Sequence, residues 1–241
     1  IMIAIIGGSG LTHLPELNIT HRQVVRTPYG LPSAPVLMGK LGQSEIMFLA
    51  RHGLNHTQAP HEINYRANIW ALHHLNATRI ISVSAVSSIN PDLEPGTLVL
   101  PHDLIDYTFG RAHTFFEGAS QEVVHIDLSS PYGDSWRKVL LQHAKNRQTH
   151  IHAEAIYGCL QGPRLPTRAE LRRYRQDGND IIGMTGMPEA ILARELNIPF
   201  AHLCGVIGIA CEASNTYSSP DFRSIQSHGA IQRIRQLLVD F

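Results

Sequence analysis

The amino-acid sequence predicts an α/β fold: a single domain over 1–241, built as a three-layer sandwich with a central mixed β-sheet. Short apolar runs rich in β-branched residues alternate with segments of helical periodicity. Several runs are apolar on both faces, as strands covered by helices on two sides must be. The 241 residues, 43% hydrophobic and 17% charged, suffice for one substantial core, and no internal repeat or low-complexity segment divides them.

The elements follow in chain order. "IMIAIIGGSG" is apolar for six residues before glycines interrupt it and has no basic leader, so 2–6 reads as a first buried strand rather than a signal peptide. "VLMGKL" (36–41) and "EIMFLA" (45–50) read as the next strands. "INYRANIWALHHL" (63–75) sets Ile63, Ala67, Trp70, Ala71 and Leu75 on one helical face. "RIISVSA" (79–85) and "TLVLP" (97–101) return to strand character. "TRAELRRYRQDG" (167–178) has Thr167 as a helix cap, Glu170 three residues on and Gly178 as a stop signal. "DIIGM" (180–184) reads as a strand, and "PEAILAREL" (188–196) as a helix with Pro188 in its first turn. "PFAHLCGVIG" (199–208) is a last strand, and the amphipathic "AIQRIRQLLVDF" (230–241) a last helix.

Bulk chemistry narrows the function. Lys+Arg and Asp+Glu number 20 each, so the net attraction that nonspecific nucleic-acid or anionic-membrane binding needs is missing, and any anion site must be local. No apolar run approaches the roughly 20 residues of a membrane-spanning helix, which predicts a soluble protein. Cys159, Cys204 and Cys211 form no close pair, so reduced thiols in a cytoplasm are expected and no bridge.

Sheets of this class bind ligands beyond the C-terminal ends of their strands. Gly7, Gly8 and Gly10 surround Ser9 after the first strand, where backbone N–H groups and a hydroxyl can face an anion. Arg51 and His52 follow the strand at 45–50, Ser84 and Ala85 end the next, and Met184 and Thr185 follow "DII". Together they are the inventory for a dianionic phosphate. Alone, Arg51 reads as a surface ion-pair partner and Ser84 or Thr185 as turn or capping residues; their joint placement favours the anion site. "GGSG" is neither a dinucleotide fingerprint nor a Walker loop. Fifteen histidines, among them His52, His56, His61, His73 and His74, raise the question of a metal. "HEINY" lacks the second His of H-E-x-x-H and no Asp/Glu/Cys cluster completes a ligand set, so no metal is expected. There is no G-x-S-x-G elbow for a serine nucleophile.

Seven ordered motifs then carry a resemblance: "AIIGGSGL", "TPYGLPSAP", "FLARHGLNH", "PHEINYRANIWAL", "DLIDYTFGRAHTFFEG", "GPRLPTRAE" and "DIIGMTGMPEAILARELNIPFA". Over residues 3 to 207 the chain resembles the trimeric purine nucleoside phosphorylase and 5'-methylthioadenosine phosphorylase family. The "GMTGMPEA" form looks most like its bacterial S-methyl-5'-thioinosine phosphorylase branch. The resemblance implies the nucleoside phosphorylase fold and phosphate held by Ser9, Arg51, His52, Ser84, Ala85 and Thr185. It implies ribose against Met184, and His125 reaching the 5' end of the substrate in a neighbouring subunit of a homotrimer. Inorganic phosphate would be a co-substrate, with no other cofactor. Taken by itself, His125 reads as an ordinary surface histidine.

The resemblance also marks departures. Family members place an Asp or Asn beside purine N7 and a carboxylate or Ser in the "GPR-x-x" segment; here those positions are Gly208 and Pro166, next to Leu165. Ser87 stands where the family has a glycine. Three readings stay open. A shifted C-terminal loop brings Glu212, Asn215 or Asp221 to the base, although each also reads as a solvated loop residue; whichever reading holds, "SNTYSSPDFRSI" (214–225) is expected to help form the 5' pocket. Alternatively, water and the backbone of Gly208, Ile209 and Ala210 serve the purine less effectively. In the third, the chain binds phosphate and nucleoside but turns over poorly. The preferred substrate stays open among S-methyl-5'-thioinosine, 6-oxopurine nucleosides and 5'-methylthioadenosine.

Overall fold

The computed structural model describes residues 1–212 and 222–241. Its strands are β1 (Ile3–Gly7), β2 (Leu17–Gln23), β3 (Val36–Leu41), β4 (Ser44–Ala50), β5 (Arg79–Ser88), β6 (Leu98–Val99), β7 (Asp103–Asp106), β8 (Ile156–Cys159), β9 (Ile181–Gly183) and β10 (Phe200–Ile209). Its helices are α1 (Tyr65–His74), α2 (Ser135–Asn146), α3 (Arg168–Gln176), α4 (Gly186–Glu195), α5 (Phe222–Ser227) and α6 (Gly229–Leu238).

All ten strands join one mixed sheet in the order β2-β3-β4-β1-β5-β9-β8-β7, with β10 added along β5 and β6 along β10. The branch at β5 positions the site. Parallel β1 lies against its first half (Ile3↔Arg79 to Ile6↔Ser82), and antiparallel β9 takes over the same edge at its end (Ser87↔Ile182, Ser88↔Ile181). Parallel β10 follows the other edge, with a register shift between Val206 and Gly208.

Alternation along the strands builds two cores, because successive side chains leave a strand on opposite faces. Ala4 and Ile6 enter a cluster with Tyr65, Ile69 and Leu72 of α1 and Met187, Ala190 and Ala193 of α4. Ile3 and Ile5 enter the opposite cluster with Trp136, Leu140 and Ala144 of α2 and Ile231, Ile234 and Leu238 of α6. Helices therefore cover both faces, the expected three layers.

Several sequence expectations shift in detail. The strand at 97–101 shortens to Leu98–Val99, where Pro101 has no N–H to extend a ladder. Helix α1 starts at Tyr65 because Asn64 caps it, its side chain accepting from Ala67 N at 3.0 Å. Its buried face is then centred on Ala67, Asn68, Ile69, Ala71 and Leu72, while Trp70 is only half-buried and stacks on His74 at 4.7 Å. Pro188 does not sit in a regular first turn: α4 begins at Gly186, and Met187 and Pro188 have non-helical angles. Strands β2, β7 and β8 and helix α2 were not expected.

Among the described residues no helix is long and apolar enough to cross a membrane, and the thiols of Cys159, Cys204 and Cys211 are free.

Candidate active site

One cavity lies where the ends of β1, β4 and β5 meet the turn between β9 and α4. Ser9, Arg51, His52, Ser84, Ala85, Met184 and Thr185 all line it, as do Ser87 and Leu165. Antiparallel pairing of β9 with β5 runs Thr185 back to the level of Ser84, and their hydroxyl oxygens lie 3.4 Å apart.

Arg51 is wholly buried. Its Nε and Nη2 donate to the two carboxylate oxygens of Glu189, Nη2 also donates to Ser82 Oγ (2.6 Å), and Nη1 donates to the Val83 carbonyl (3.0 Å). Four of the five guanidinium hydrogens are thus committed inside the protein, leaving one on Nη1. That nitrogen faces Gly8: a Cβ there would lie 2.4 Å from it. The glycine loop is therefore needed for the backbone and the guanidinium to approach each other. Burying the charge is tolerable because Glu189, in the first turn of α4, compensates it.

His52 is neutral. Burial, and then the charge of Arg51, pushes its pKa down to about 3. Nδ1 lies 2.8 Å from the Gln58 carbonyl, which can only accept, so the proton sits on Nδ1 and Nε2 is an acceptor. Ser9 Oγ is 3.0 Å from His56 Nε2, whose ring in turn lies 4.5 Å from that of His52.

Thr185 caps α4 but makes no side-chain capping bond. The N–H groups of Thr185 and Gly186 donate to Tyr157 Oη at 3.3 and 3.1 Å, so a tyrosine satisfies this helix end and leaves the Thr185 hydroxyl for the cavity. Ser84 Oγ lies 2.8 Å from His202 Nε2. Glu189, His202 and Tyr157 were absent from the sequence reading. The one signal for Glu189 was an acidic residue in the first turn of a helix, which ordinarily reads as a dipole partner.

The remaining expected residues lie elsewhere. Pro166 lines a neighbouring cavity with Tyr107, Arg164, Glu170 and Tyr174. Ile209 and Ala210 line a third, largely apolar one beside Leu171. Glu212 borders that same cavity, is ion-paired with Arg172 and does not line the cavity that holds Ser9 and Arg51. Gly208 pairs with Ser87 across β5 and β10, and a Cβ at Gly208 would meet nothing within 4 Å among the described residues. His125 is exposed on the connection between β7 and α2 and does not line the cavity. Asn215 and Asp221 lie outside the described residues. Ile225 of α5, the last residue of the segment expected to help form the substrate pocket, closes the cavity wall against Gly10. No group of three His, Cys, Asp or Glu side chains able to hold a metal occurs among the described residues.

The chain matches the phosphorylase superfamily over residues 2–241. It is 49% identical over 211 residues to a probable S-methyl-5'-thioinosine phosphorylase of Pseudomonas syringae pv. tomato, covering 88% of this chain and 86% of that protein. Identity to the 6-oxopurine nucleoside phosphorylase of Pyrococcus furiosus is 44% over 217 residues, 88% and 81% of the two chains. A solved structure of methylthioadenosine phosphorylase from Schistosoma mansoni in complex with adenine superposes with a TM-score of 0.91 at 30% identity, over 99% of this chain and 89% of that one.

Proposed function

The chain belongs to the phosphorylase superfamily, and from that membership we propose that it cleaves a purine nucleoside with orthophosphate, S-methyl-5'-thioinosine being the leading substrate. The products are hypoxanthine and 5-methylthioribose 1-phosphate, and the reaction serves purine salvage. The relatives act on methylthioinosine, 6-oxopurine nucleosides and methylthioadenosine by name, which supports the purine class.

The observation that carries this reading is the convergence of Ser9, Arg51, His52, Ser84 and Thr185 on one cavity beside Met184. Hydroxyls and one guanidinium N–H donate to the anion. The neutral His52 offers an acceptor, which suits the protonated oxygen of hydrogen phosphate. Phosphate held there attacks C1' as the bond to N9 breaks. The transition state resembles an oxocarbenium ion, so an anion fixed beneath the sugar both stabilises it and supplies the nucleophile. No covalent enzyme intermediate forms.

The departing purine gathers negative charge and needs a donor. With the anion-binding groups set aside, Ser87 is the remaining polar side chain on the cavity wall among the described residues, and it stands beside Gly208. Ser87 therefore serves the base in this reading. No organic cofactor or metal takes part, and the enzyme works in the cytoplasm as a homotrimer in which His125 reaches the 5' group in a neighbouring subunit. Light scattering on the purified chain tests the trimer, and loss of methylthio preference in His125→Ala tests that contact.

The deciding assay is phosphate-dependent release of base from S-methyl-5'-thioinosine, inosine and 5'-methylthioadenosine. Turnover is expected with the first highest; no release from any of them defeats the reading. A second reading, a homologue that binds phosphate and nucleoside with little turnover, draws on the missing side chain at Gly208. Calorimetric binding of both ligands without base release would select it.

A further inference from the structure

His202 is the third residue of β10, fully buried, and has no role in the reaction as described so far. Its Nε2 lies 2.8 Å from Ser84 Oγ, while its Nδ1 has no hydrogen-bond partner among the described residues. The ring is gripped from the α4 side: Tyr157 packs edge-on at 4.6 Å, and a Cβ at Gly186 would come within 3.0 Å of Cε1. Burial, and then the nearby Arg51 charge, pushes its pKa down to about 3, so the ring carries one N–H and one lone pair.

The two tautomers have opposite consequences for Ser84. A proton on Nδ1 would leave a buried N–H unpaired, and Nε2 would then take the hydrogen of Ser84, turning that hydroxyl into a pure acceptor facing an anion. A proton on Nε2 buries only a bare lone pair, the more tolerable of the two defects, and donates to Ser84 Oγ. The hydrogen of Ser84 is then free for the cavity side, where Thr185 Oγ1 lies at 3.4 Å. Ser82, two residues earlier on β5, provides the contrast: its hydroxyl hydrogen goes to Glu189 and is not available to a ligand.

We propose that His202 is a positioning residue for the anion site, donating from Nε2 to Ser84 Oγ and thereby committing the Ser84 hydroxyl as a donor to phosphate. The inference rests on the phosphate reading above. It assigns to a buried histidine that does not itself line the cavity control over the direction of a hydrogen bond there.

Two measurements test it. Nitrogen-15 NMR of the histidine-labelled wild-type chain reads the tautomer directly: an Nε2–H signal for His202 is expected, and an Nδ1–H signal overturns the proposal. Steady-state kinetics and calorimetry with orthophosphate are then compared for wild type, His202→Phe and His202→Gln. Losing the donor in His202→Phe should raise the phosphate KM and Kd about tenfold with the nucleoside KM unchanged, while His202→Gln, which keeps an amide N–H near the same place, should recover most of the loss. In a Ser84→Ala background, His202→Phe should add nothing. Unchanged phosphate affinity in His202→Phe, no recovery by Gln, or full additivity with Ser84→Ala overturns the inference. Failure of the wild-type chain to bind orthophosphate instead defeats the phosphorolysis reading, a result distinguishable from wild-type binding that His202→Phe leaves intact. Should His202→Phe fail to fold, the wild-type tautomer decides.

Discussion

At the scale of single residues, Arg51 shows how binding and stability are entangled. Removing it in Arg51→Ala strips one donor from the anion and also strands Glu189 in the interior. Breaking such a buried pair costs about 3–5 kcal/mol, so the variant should lose both phosphate affinity and stability. Adding Glu189→Gln should restore much of the stability, read by denaturant melts, without restoring phosphate affinity. Recovery of both would show that Arg51 acts on the fold alone. At the base end, Ser87→Ala should lower kcat with little change in phosphate KM, and an unchanged kcat would remove Ser87 from the reaction. Gly208→Asn meets open space and should raise kcat, by up to ~10² if the amide reaches the purine, the usual worth of one preorganised donor. Ser9, Arg51, His52 and Thr185 were legible because each follows a strand beside glycines or other polar groups, and Ser84 because its apolar run reads as ending there, although β5 continues to Ser88. The residues that hold them were not. Glu189, Tyr157 and His202 meet them only through folding, and nothing in the sequence marks them beyond the place of Glu189 at a helix start.

At the scale of elements, legibility followed burial. Strands β1, β3, β4, β5, β9 and β10 are apolar and were readable as runs. β2 escaped because it is exposed beyond Leu17, an edge strand whose side chains meet solvent and so carry no apolar period. β7 alternates acidic and apolar residues (DLID) and β8 is interrupted by a glycine (IYGC), so neither four-residue strand reads as an apolar run. Helix α3 was the best-specified element, since its punctuation is local. Thr167 Oγ1 accepts from Glu170 N at 3.1 Å, the Glu170 carboxylate accepts from Thr167 N at 2.8 Å, and Gly178 follows with φ of +97°. Arg164 also clamps Glu170 through both terminal nitrogens, at 2.8 and 2.9 Å. Thr167→Ala should therefore cost about 1 kcal/mol of stability and leave phosphate KM unchanged, because α3 lies outside the anion cavity. A stability change below a few tenths would mean that the capping box is not formed in solution.

At the scale of the whole molecule, the fold was legible because its two cores follow from period-two strands and amphipathic helices. The branch of the sheet at β5 was not, since pairing partners are long-range choices. The molecule also buries two neutral imidazoles, His52 and His202, each pushed down to about 3 from an ordinary 6.5. Because their folded values lie below the unfolded one, the unfolded chain takes up protons first as pH falls below about 6.5. Their stabilisation is complete above that point and is lost progressively toward pH 3, each histidine approaching about 1.4 kcal/mol per pH unit. Urea melts from pH 7 to 5 should show this decline before most carboxylates titrate, and a flat profile would mean that both rings are exposed.

The most direct test of the anion cradle is a crystal structure of the chain with orthophosphate and a non-cleavable purine nucleoside. The anion is expected within hydrogen-bond distance of Ser9, Ser84 and Thr185 hydroxyls and Arg51 Nη1, on the side of the sugar that carries C1'. Phosphate bound elsewhere, or a nucleoside whose C1' lies away from those groups, would contradict it.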